Sequence, residues 1–216
     1  ALHLYQAIGH RRGESAARTN LTRLADAQAD YALANAHGER ALRAARDLGD
    51  QQAEAKALTS VALLYLHEGK NEAAWNRSLQ AVELARSLGD QAGEGQALVV
   101  LGHAFLELEM VDQAAAAYRE ALDLQRALGQ WNRAAESMAG LARAALARDD
   151  LAGAKAYVEK VLQQCEGGDL NGTTEPLRVH LTCYQVLRMS DDPRANDVLA
   201  AASGIFDGIG HMTDAA

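Results

Sequence analysis

Leu48-Gly49-Asp50 and Leu88-Gly89-Asp90 are the same tripeptide, and Leu128-Gly129-Gln130 differs from them only in its last residue. The glycines of the three tripeptides are spaced by 40 residues. The same spacing leads back to Ile8-Gly9-His10, and Gly168-Asp169 follows after 39 residues. A fixed period of this length is typical of proteins that repeat one supersecondary unit. The sequence therefore predicts a single array of repeats at 10–49, 50–89, 90–129 and 130–168, with a divergent closing repeat and tail at 169–216.

Small and large apolar residues recur in the same register. Two columns hold small residues and a third holds large ones: Ala34, Ala74, Ala114 and Ala154; Ala41, Ala81, Ala121 and Val161; Leu21, Val61, Leu101 and Leu141. Two antiparallel helices pack closely when small side chains occupy the positions where they cross. The columns therefore indicate that each repeat is a pair of packed helices.

Local signals place the ends of these helices. Leu58, Val61, Ala62 and Tyr65 are spaced as one face of a helix, and a short break at 68–71 precedes the second helix. Gly49 and Gly89 suit the left-handed position that ends a helix. Asp50 and Asp90 suit the N-cap of the next helix, and Glu54 and Glu94 suit its first turn.

Composition excludes several classes of protein. Aromatic residues make up 5% of the chain and there are 2 prolines, which argues against a β-sandwich or barrel. The net charge of −8 makes nucleic acid and anionic membranes poor generic partners. No run approaches the roughly 18 apolar residues of a membrane span. Cys165 and Cys183 are too few for a disulfide framework, so we expect a cytoplasmic protein with reduced thiols.

The pattern of small and large residues resembles the tetratricopeptide repeat (TPR). The third repeat fits it best, with Leu98, Leu101-Gly102, Phe105, Ala114, Tyr118 and Ala121. The first repeat departs from it, with Arg18, Thr22 and Gly38 at packing positions. This resemblance implies an all-α right-handed superhelix, an α-solenoid of antiparallel helix pairs. It also implies recognition of proteins or peptides, although one fold hosts many functions.

The 40-residue length with Leu-Gly-Asp linkers resembles the helical arrays of bacterial signal-transduction ATPases and transcriptional activators. Residues 1–9 align with the end of a second helix, at 41–49. A repeat array is not expected to begin at that point, because the helix would lack its packing partner. We therefore expect residues 1–9 to close a truncated preceding repeat, and the chain to be a segment of a larger bacterial regulator.

No catalytic motif is present in the sequence, which lacks the phosphate-loop, zinc-protease, nucleophile-elbow and C-x-x-C patterns. His180 and Cys183 share a helix face, but Cys165 and His211 are the remaining nearby candidates for a zinc site. We therefore expect no enzyme activity, no metal and no cofactor.

His67 and His103 are expected at the surface or in a groove. Trp75 and Trp131 are either partner anchors or packing between repeats.

In tetratricopeptide arrays the first helix of each repeat lines a concave groove. The register places these candidate partner-binding residues there: Arg23, Thr59, Leu63, Leu66, Val99, His103, Leu106, Arg143 and Leu146. Arg23, His103 and Arg143 share one column and favour a segment with acidic side chains. Leu66, Leu106 and Leu146 form an apolar row, which is either part of the groove or core between adjacent first helices.

These features favour a non-enzymatic interaction module that binds a peptide or partner domain in the groove, without binding nucleic acid or membrane. Two alternatives stay open. In the first alternative, the array is a structural spacer or self-association module, with homodimers forming through its open ends. In the second, it is the small-effector-sensing domain of a transcriptional regulator.

Overall fold

The computed structural model describes residues 1–164 and 173–213, with 205–213 described by their backbone alone. Helices are the regular secondary structure of this part of the chain, which confirms the predicted all-α fold. Their bounds are α1 (Leu2–Ala7), α2 (Arg11–Ala27), α3 (Tyr31–Asp47), α4 (Gln51–His67), α5 (Asn71–Ser87), α6 (Gln91–Glu107), α7 (Val111–Ala127), α8 (Trp131–Leu146), α9 (Leu151–Gln164), α10 (Pro176–Met189) and α11 (Ala195–Thr213). None of the described helices is long and apolar enough to cross a membrane.

The backbone repeats every 20 residues, which is half the period of the sequence. Helices α2 to α7 contain 17 residues each, and three-residue linkers join them. The middle residue of each three-residue linker adopts a left-handed conformation, with φ between 56° and 72° at Gly9, Ala29, Gly49, Gly69, Gly89, Glu109 and Gly129. In the four-residue linker before α9, Asp149 does the same, with φ at 57°. This confirms the predicted left-handed positions of Gly49 and Gly89, which let each helix stop after a fixed number of turns.

Side chains on both sides of each Leu-Gly-Asp linker hold the next helix in place. The Oδ1 atoms of Asp50 and Asp90 accept hydrogen bonds from the first-turn amides of α4 and α6, at 3.1 and 2.9 Å, as predicted for N-caps. Arg46 donates to Glu54 across the first of these linkers at 2.7 Å, and Arg86 donates to Glu94 across the second at 2.7 Å. The repeated linker sequence therefore specifies both the end of one helix and the start of the next.

The alanine columns lie where the helices pack most closely. Ala34, Ala74, Ala114, Ala154, Ala41, Ala81 and Ala121 have no exposed surface. Val61, Leu101 and Leu141 of the third column are also buried, whereas Leu21 is half-buried. Burial of many small side chains brings the helix backbones close together and lets the larger apolar residues fill the remaining space.

The helices form two compact units. The first unit, Ala1–Glu109, contains α1 to α6, and the second, Met110–Ala216, contains α7 to α11. In the first unit each helix packs against the next one in the chain, and the first helices α2, α4 and α6 also pack against one another in sequence. In the second unit α8 packs against α7, α9 and α10. The boundary lies between the two helices of the predicted repeat 90–129, and the division into 40-residue repeats stays a prediction.

The first helix pair accommodates the polar residues that depart from the repeat pattern. Arg18 is 8% exposed, and its guanidinium donates to Glu14 at 3.1 and 2.8 Å. The Thr22 hydroxyl is buried and donates to the Arg18 carbonyl oxygen at 3.0 Å. A Cβ atom at Gly38 would lie 2.8 Å from Val61, so glycine is needed there for α3 to approach α4.

Candidate functional site

The first helices of the first unit enclose a polar pocket of about 140 Å³. Its walls come from α2, α4 and the beginning of α6: Thr19, Asn20, Arg23, Ala55, Lys56, Thr59, Ser60, Asp90, Gly93 and Gln96. Helix α2 packs against α4, and α4 packs against α6. The polar residues that lie beside these contacts form the walls of the pocket.

A second cavity of about 360 Å³ continues from this pocket along α2 and α4. The two cavities share Thr19, Asn20 and Lys56. The second one also includes Arg12 and Asp50, which form an ion pair at 3.3 Å. Because their linings overlap, the two cavities make one open depression, here called the α2–α4 trough.

The trough carries two cations that the protein leaves available. Arg23 and Lys56 are both exposed, and neither forms an ion pair within residues 1–164 and 173–213. The carboxylates in the walls already have partners, because Asp50 caps α4 and pairs with Arg12, while Asp90 caps α6. The trough is therefore locally cationic in a chain whose net charge is −8.

Few of the neutral side chains can donate to a ligand. The Thr19 hydroxyl donates to the Ser15 carbonyl at 3.2 Å, and the Thr59 hydroxyl donates to the Ala55 carbonyl at 3.0 Å. These two hydroxyls can therefore only accept further hydrogen bonds. Asn20 and Ser60 also line the pocket, beside the two cations, and their side chains can donate to a ligand.

Arg23 and Thr59 are the sequence-predicted site residues that line the pocket. The others lie elsewhere: Leu63, Leu66, Val99 and His103 are buried, whereas Leu106, Arg143 and Leu146 are half-buried. His103 is only 4% exposed, which differs from the expected surface or groove position. Arg143 and Leu146 lie on α8, in the second unit.

The leucine row had two interpretations, and the structure favours core packing for Leu66. Leu63 and Leu66 belong to a buried cluster with Ala74 of α5 and with Val100 and Ala104 of α6. Helix α6 therefore covers the face of α4 that carries both leucines. Trp75 packs against the same cluster and lies at a tilted angle to Phe105, with 6.2 Å between ring centroids. Trp131, by contrast, is largely exposed.

Sequence reasoning missed Lys56, together with Asn20, Ser60 and Gln96. A signal was present, because Lys56 precedes Thr59 by three residues and Ser60 by four, and therefore shares their helix face. The repeat register hides this signal, because the equivalent positions hold unrelated residues, Ala16 and Gln96 among them. A lysine that occurs in only one of these repeats cannot be detected from the repeat pattern.

Neither cavity of the trough has His67, His180 or Cys183 in its lining. The Nδ1 atom of His67 lies 2.9 Å from both carboxylate oxygens of Asp26. Burial lowers the pKa of His180, and Cys183 is buried as a free thiol. Among the described residues there is no group of three or more His, Cys, Asp or Glu side chains that could hold a metal. Cys165 and the side chain of His211 lie outside the described residues.

Glu136 on α8 is the most strongly perturbed buried acid of the second unit. Its carboxylate accepts hydrogen bonds from the backbone N–H groups of Thr174 and Glu175, the latter at 2.6 Å. Burial is the main reason why the pKa of Glu136 rises to about 7, and the charge of Glu175 adds to the increase. The two N–H bonds and Arg133 act in the opposite direction. Glu136 thus anchors the residues that precede α10.

Comparison with known proteins agrees with this architecture. No protein-family model and no curated protein matches the chain. Among solved structures, the chain is similar to BtubC (BKLC) from P. vanneervenii, with a TM-score of 0.72 and 17% identity over 97% of this chain and 88% of that one. It is also similar to the TPR-like repeats of a putative kinesin light chain from Podosopora anserina, with a TM-score of 0.63 and 14% identity over 90% and 95%.

A second crystal structure of the Podosopora anserina repeats gives a TM-score of 0.65, with 14% identity over 95% of this chain and 98% of that one. At such identities the similarity concerns the fold. The predicted resemblance to TPR-like repeat proteins is therefore confirmed, and the chain is a helical array of that type. The resemblance to bacterial activators stays a prediction.

Proposed function

We propose that the chain is a non-enzymatic protein-interaction module and that its α2–α4 trough binds an extended segment of a partner protein. TPR-like arrays commonly serve as interaction or scaffold modules, so the fold is consistent with this role. The observation that carries the proposal is the trough itself. It places two available cations, Arg23 and Lys56, on neighbouring first helices beside the donors of Asn20 and Ser60.

The shape and lining of the trough favour a polypeptide segment over a small effector. Sites for small molecules are usually concave cavities with mostly apolar walls. Mostly polar side chains line the pocket, and the adjoining cavity has Arg12, Asp50 and Lys56 in its walls. The pocket opens into this cavity along the same two helices, so a bound segment can run from one cavity into the other.

The biological setting in this proposal is that of a bacterial signal-transduction protein in the cytoplasm. The 40-residue period with Leu-Gly-Asp linkers supports it through the resemblance to bacterial regulators. Partner-binding roles for Arg143 and Leu146 in the second unit, and for Leu106 in the first, are part of the same proposal. The other four candidate residues are buried, so in this proposal they support the walls of the trough and do not contact the partner: Leu63, Leu66, Val99 and His103.

The proposal is tested by peptide display on the full chain, with a variant that fills the pocket. Ser60→Trp introduces a large ring between α2 and α6, whereas Arg43→Trp places the same ring on the exposed side of α3. Peptides selected on the parent protein should lose binding to Ser60→Trp and keep it on Arg43→Trp. Equal binding to both variants, or failure to select any peptide, would overturn the proposal.

Self-association is a second candidate function, because one end of the first unit exposes apolar side chains. Leu24 is 48% exposed, although the residues at its position in later repeats, Leu64, Ala104 and Ala144, are fully buried. Leu4 and Ile8 on and beside α1 are also exposed. If this end forms a dimer, sedimentation velocity should show concentration-dependent association that Leu24→Ser abolishes and Leu79→Ser, on α5, leaves intact. A monomer at all concentrations would exclude it.

A further inference from the structure

We propose that the pocket of the α2–α4 trough binds the side-chain carboxylate of an aspartate or glutamate within the partner segment. This inference rests on the proposed function and specifies the chemistry of the partner. Arg23 and Lys56 line the pocket from two different helices, so a bound anion has a cation on each of two walls. Hydrogen bonds in which both groups are charged are the strongest that exposed side chains form.

The electrostatic balance of the walls selects a single negative charge. Asp90 also lines the pocket, but its Oδ1 atom already accepts the Gly93 N–H at 2.9 Å. Arg23 and Lys56 together carry two positive charges and Asp90 carries one negative charge, so the walls of the pocket have a net charge of about +1. A phosphate carries about −1.5 to −2 charges at neutral pH and typically binds clusters of arginines. One arginine, one lysine and a neighbouring aspartate suit a carboxylate better.

The pocket, with a volume of about 140 Å³, has room for a single acidic side chain. Asn20 and Ser60 lie in the same walls as Arg23 and Lys56 and can donate to the second oxygen of a carboxylate. The shared lining with the second cavity leaves space for the backbone that carries this side chain.

A carboxylate inside a segment fits the trough better than a C-terminal carboxylate. Chain termini are commonly captured by several free backbone N–H groups. The backbone N–H of the pocket residue Gly93 is already bonded to Asp90, and the two cavities share Thr19 and Lys56 in their linings. The geometry therefore favours a chain that passes through and places an acidic side chain between Arg23 and Lys56.

The test uses a peptide selected by display on the full chain, together with an isosteric peptide in which its acidic residue is replaced by the corresponding amide. We expect the amide peptide to bind the parent protein at least ten-fold more weakly. Arg23→Gln with Lys56→Gln should weaken the acidic peptide by a similar factor and remove the difference between the two peptides. Arg40→Gln with Arg43→Gln makes the same change of charge on α3 and should leave both affinities unchanged.

The outcomes separate this inference from the proposed function. If the peptides are displaced by Ser60→Trp but the acidic and amide forms bind equally, the trough is a binding site and the carboxylate inference is wrong. If a C-terminal amide weakens binding as much as the side-chain amide does, a terminal carboxylate is the ligand and the inference is again wrong. If Ser60→Trp has no effect on any peptide, both proposals fail. Arg23 and Lys56 are exposed, so their replacement should not unfold the chain.

Discussion

The ring of Tyr118 on α7 lies directly against Gly140 on α8, so closely that a Cβ atom at residue 140 would overlap with it. Tyr118 is fully buried at this contact. One repeat earlier, the equivalent positions hold Ser78 and Val100, both buried. In one repeat the larger side chain of the pair therefore lies on the second helix of the preceding repeat, and in the other it lies on the following first helix. The combined volume of the two side chains stays similar.

This relationship predicts that Gly140→Val is destabilising by about 2–3 kcal/mol, because overpacking of a closely packed core forces backbone and side-chain shifts. The double variant Tyr118→Ser with Gly140→Val reproduces the Ser78 and Val100 combination and should recover part of that loss. Urea denaturation of the three proteins measures it. Gly204→Ala is the control, since nothing lies within 4 Å of its Cβ position. A double variant less stable than Gly140→Val alone would contradict the explanation.

The left-handed linker residues predict two stabilising substitutions. Ala29 and Glu109 have φ values of 56° and 61° at positions where other linkers carry glycine. An L-residue in this conformation loses roughly 1 kcal/mol relative to glycine. Ala29→Gly and Glu109→Gly should therefore each raise the free energy of unfolding by somewhat less than that, because glycine also makes the unfolded chain more flexible.

The reverse substitution provides the control for the linkers. Gly49→Ala and Gly89→Ala place a side chain at φ values of 62° and 66°, in open space, so backbone strain is their main effect. They should lower the melting temperature, whereas Ala29→Gly and Glu109→Gly should raise it. Shifts of the same sign for both sets would show that linker conformation does not control stability here.

The N-cap of α8 predicts a gain in stability. Asp50 and Asp90 cap α4 and α6, but Gln130, at the same position before α8, makes no capping hydrogen bond. An aspartate accepts from the first-turn amides and interacts favourably with the helix dipole. Gln130→Asp should therefore stabilise the protein by about 1 kcal/mol in chemical denaturation. The opposite exchange, Asp90→Gln, should lower the free energy of unfolding by a similar amount. If both substitutions change the free energy of unfolding in the same direction, the prediction is wrong.

Glu136 predicts how stability changes with pH. Its pKa rises from 4.5 to about 7 on folding, so the folded state binds the proton more tightly. The stabilisation is fully present below pH 4.5 and is lost as the pH rises through about 7. A shift of this size corresponds to roughly 3 kcal/mol. The free energy of unfolding should therefore fall between about pH 5 and pH 8 because of this one group.

Glu136→Gln keeps the shape of the protonated side chain and removes its titration. The variant should resemble the parent protein near pH 5 and exceed its stability near pH 8. The difference between the two proteins isolates Glu136 from His37 and His180, whose pKa values are lowered by burial. A difference that does not change with pH would rule out Glu136 as the source. Urea titrations at a series of pH values measure it directly.

Much of the fold could be predicted because its determinants are local. The 40-residue spacing, the N-caps at Asp50 and Asp90 and the left-handed glycines at 49 and 89 depend on residues close together in the chain. Ala29 and Glu109 escaped prediction, since each adopts a left-handed conformation without being glycine. Both lie in the middle of a three-residue linker, where the neighbouring linkers carry glycine.

The candidate site could be predicted only in part. The repeat register predicts Arg23 and Thr59 on the binding face, and both line the pocket. Lys56 was missed, and Leu66 has its side chain against Val100 and Ala104 instead of at the surface. Both results depend on how α4 is rotated against α6, which is a property of two helices and not of either sequence alone.

The sequence by itself determined the repeat, the helix ends and the small residues at the helix crossings, because capping and helical periodicity act within a few turns of one chain segment. The tertiary structure alone decided which side chains of the first helices are covered and which remain available. Burial of Leu66 and His103 and exposure of Arg23 and Lys56 follow from the angle and distance at which neighbouring helices pack. Those quantities are set by the combined side-chain volumes of both partners, as the pairing of Tyr118 with Gly140 shows.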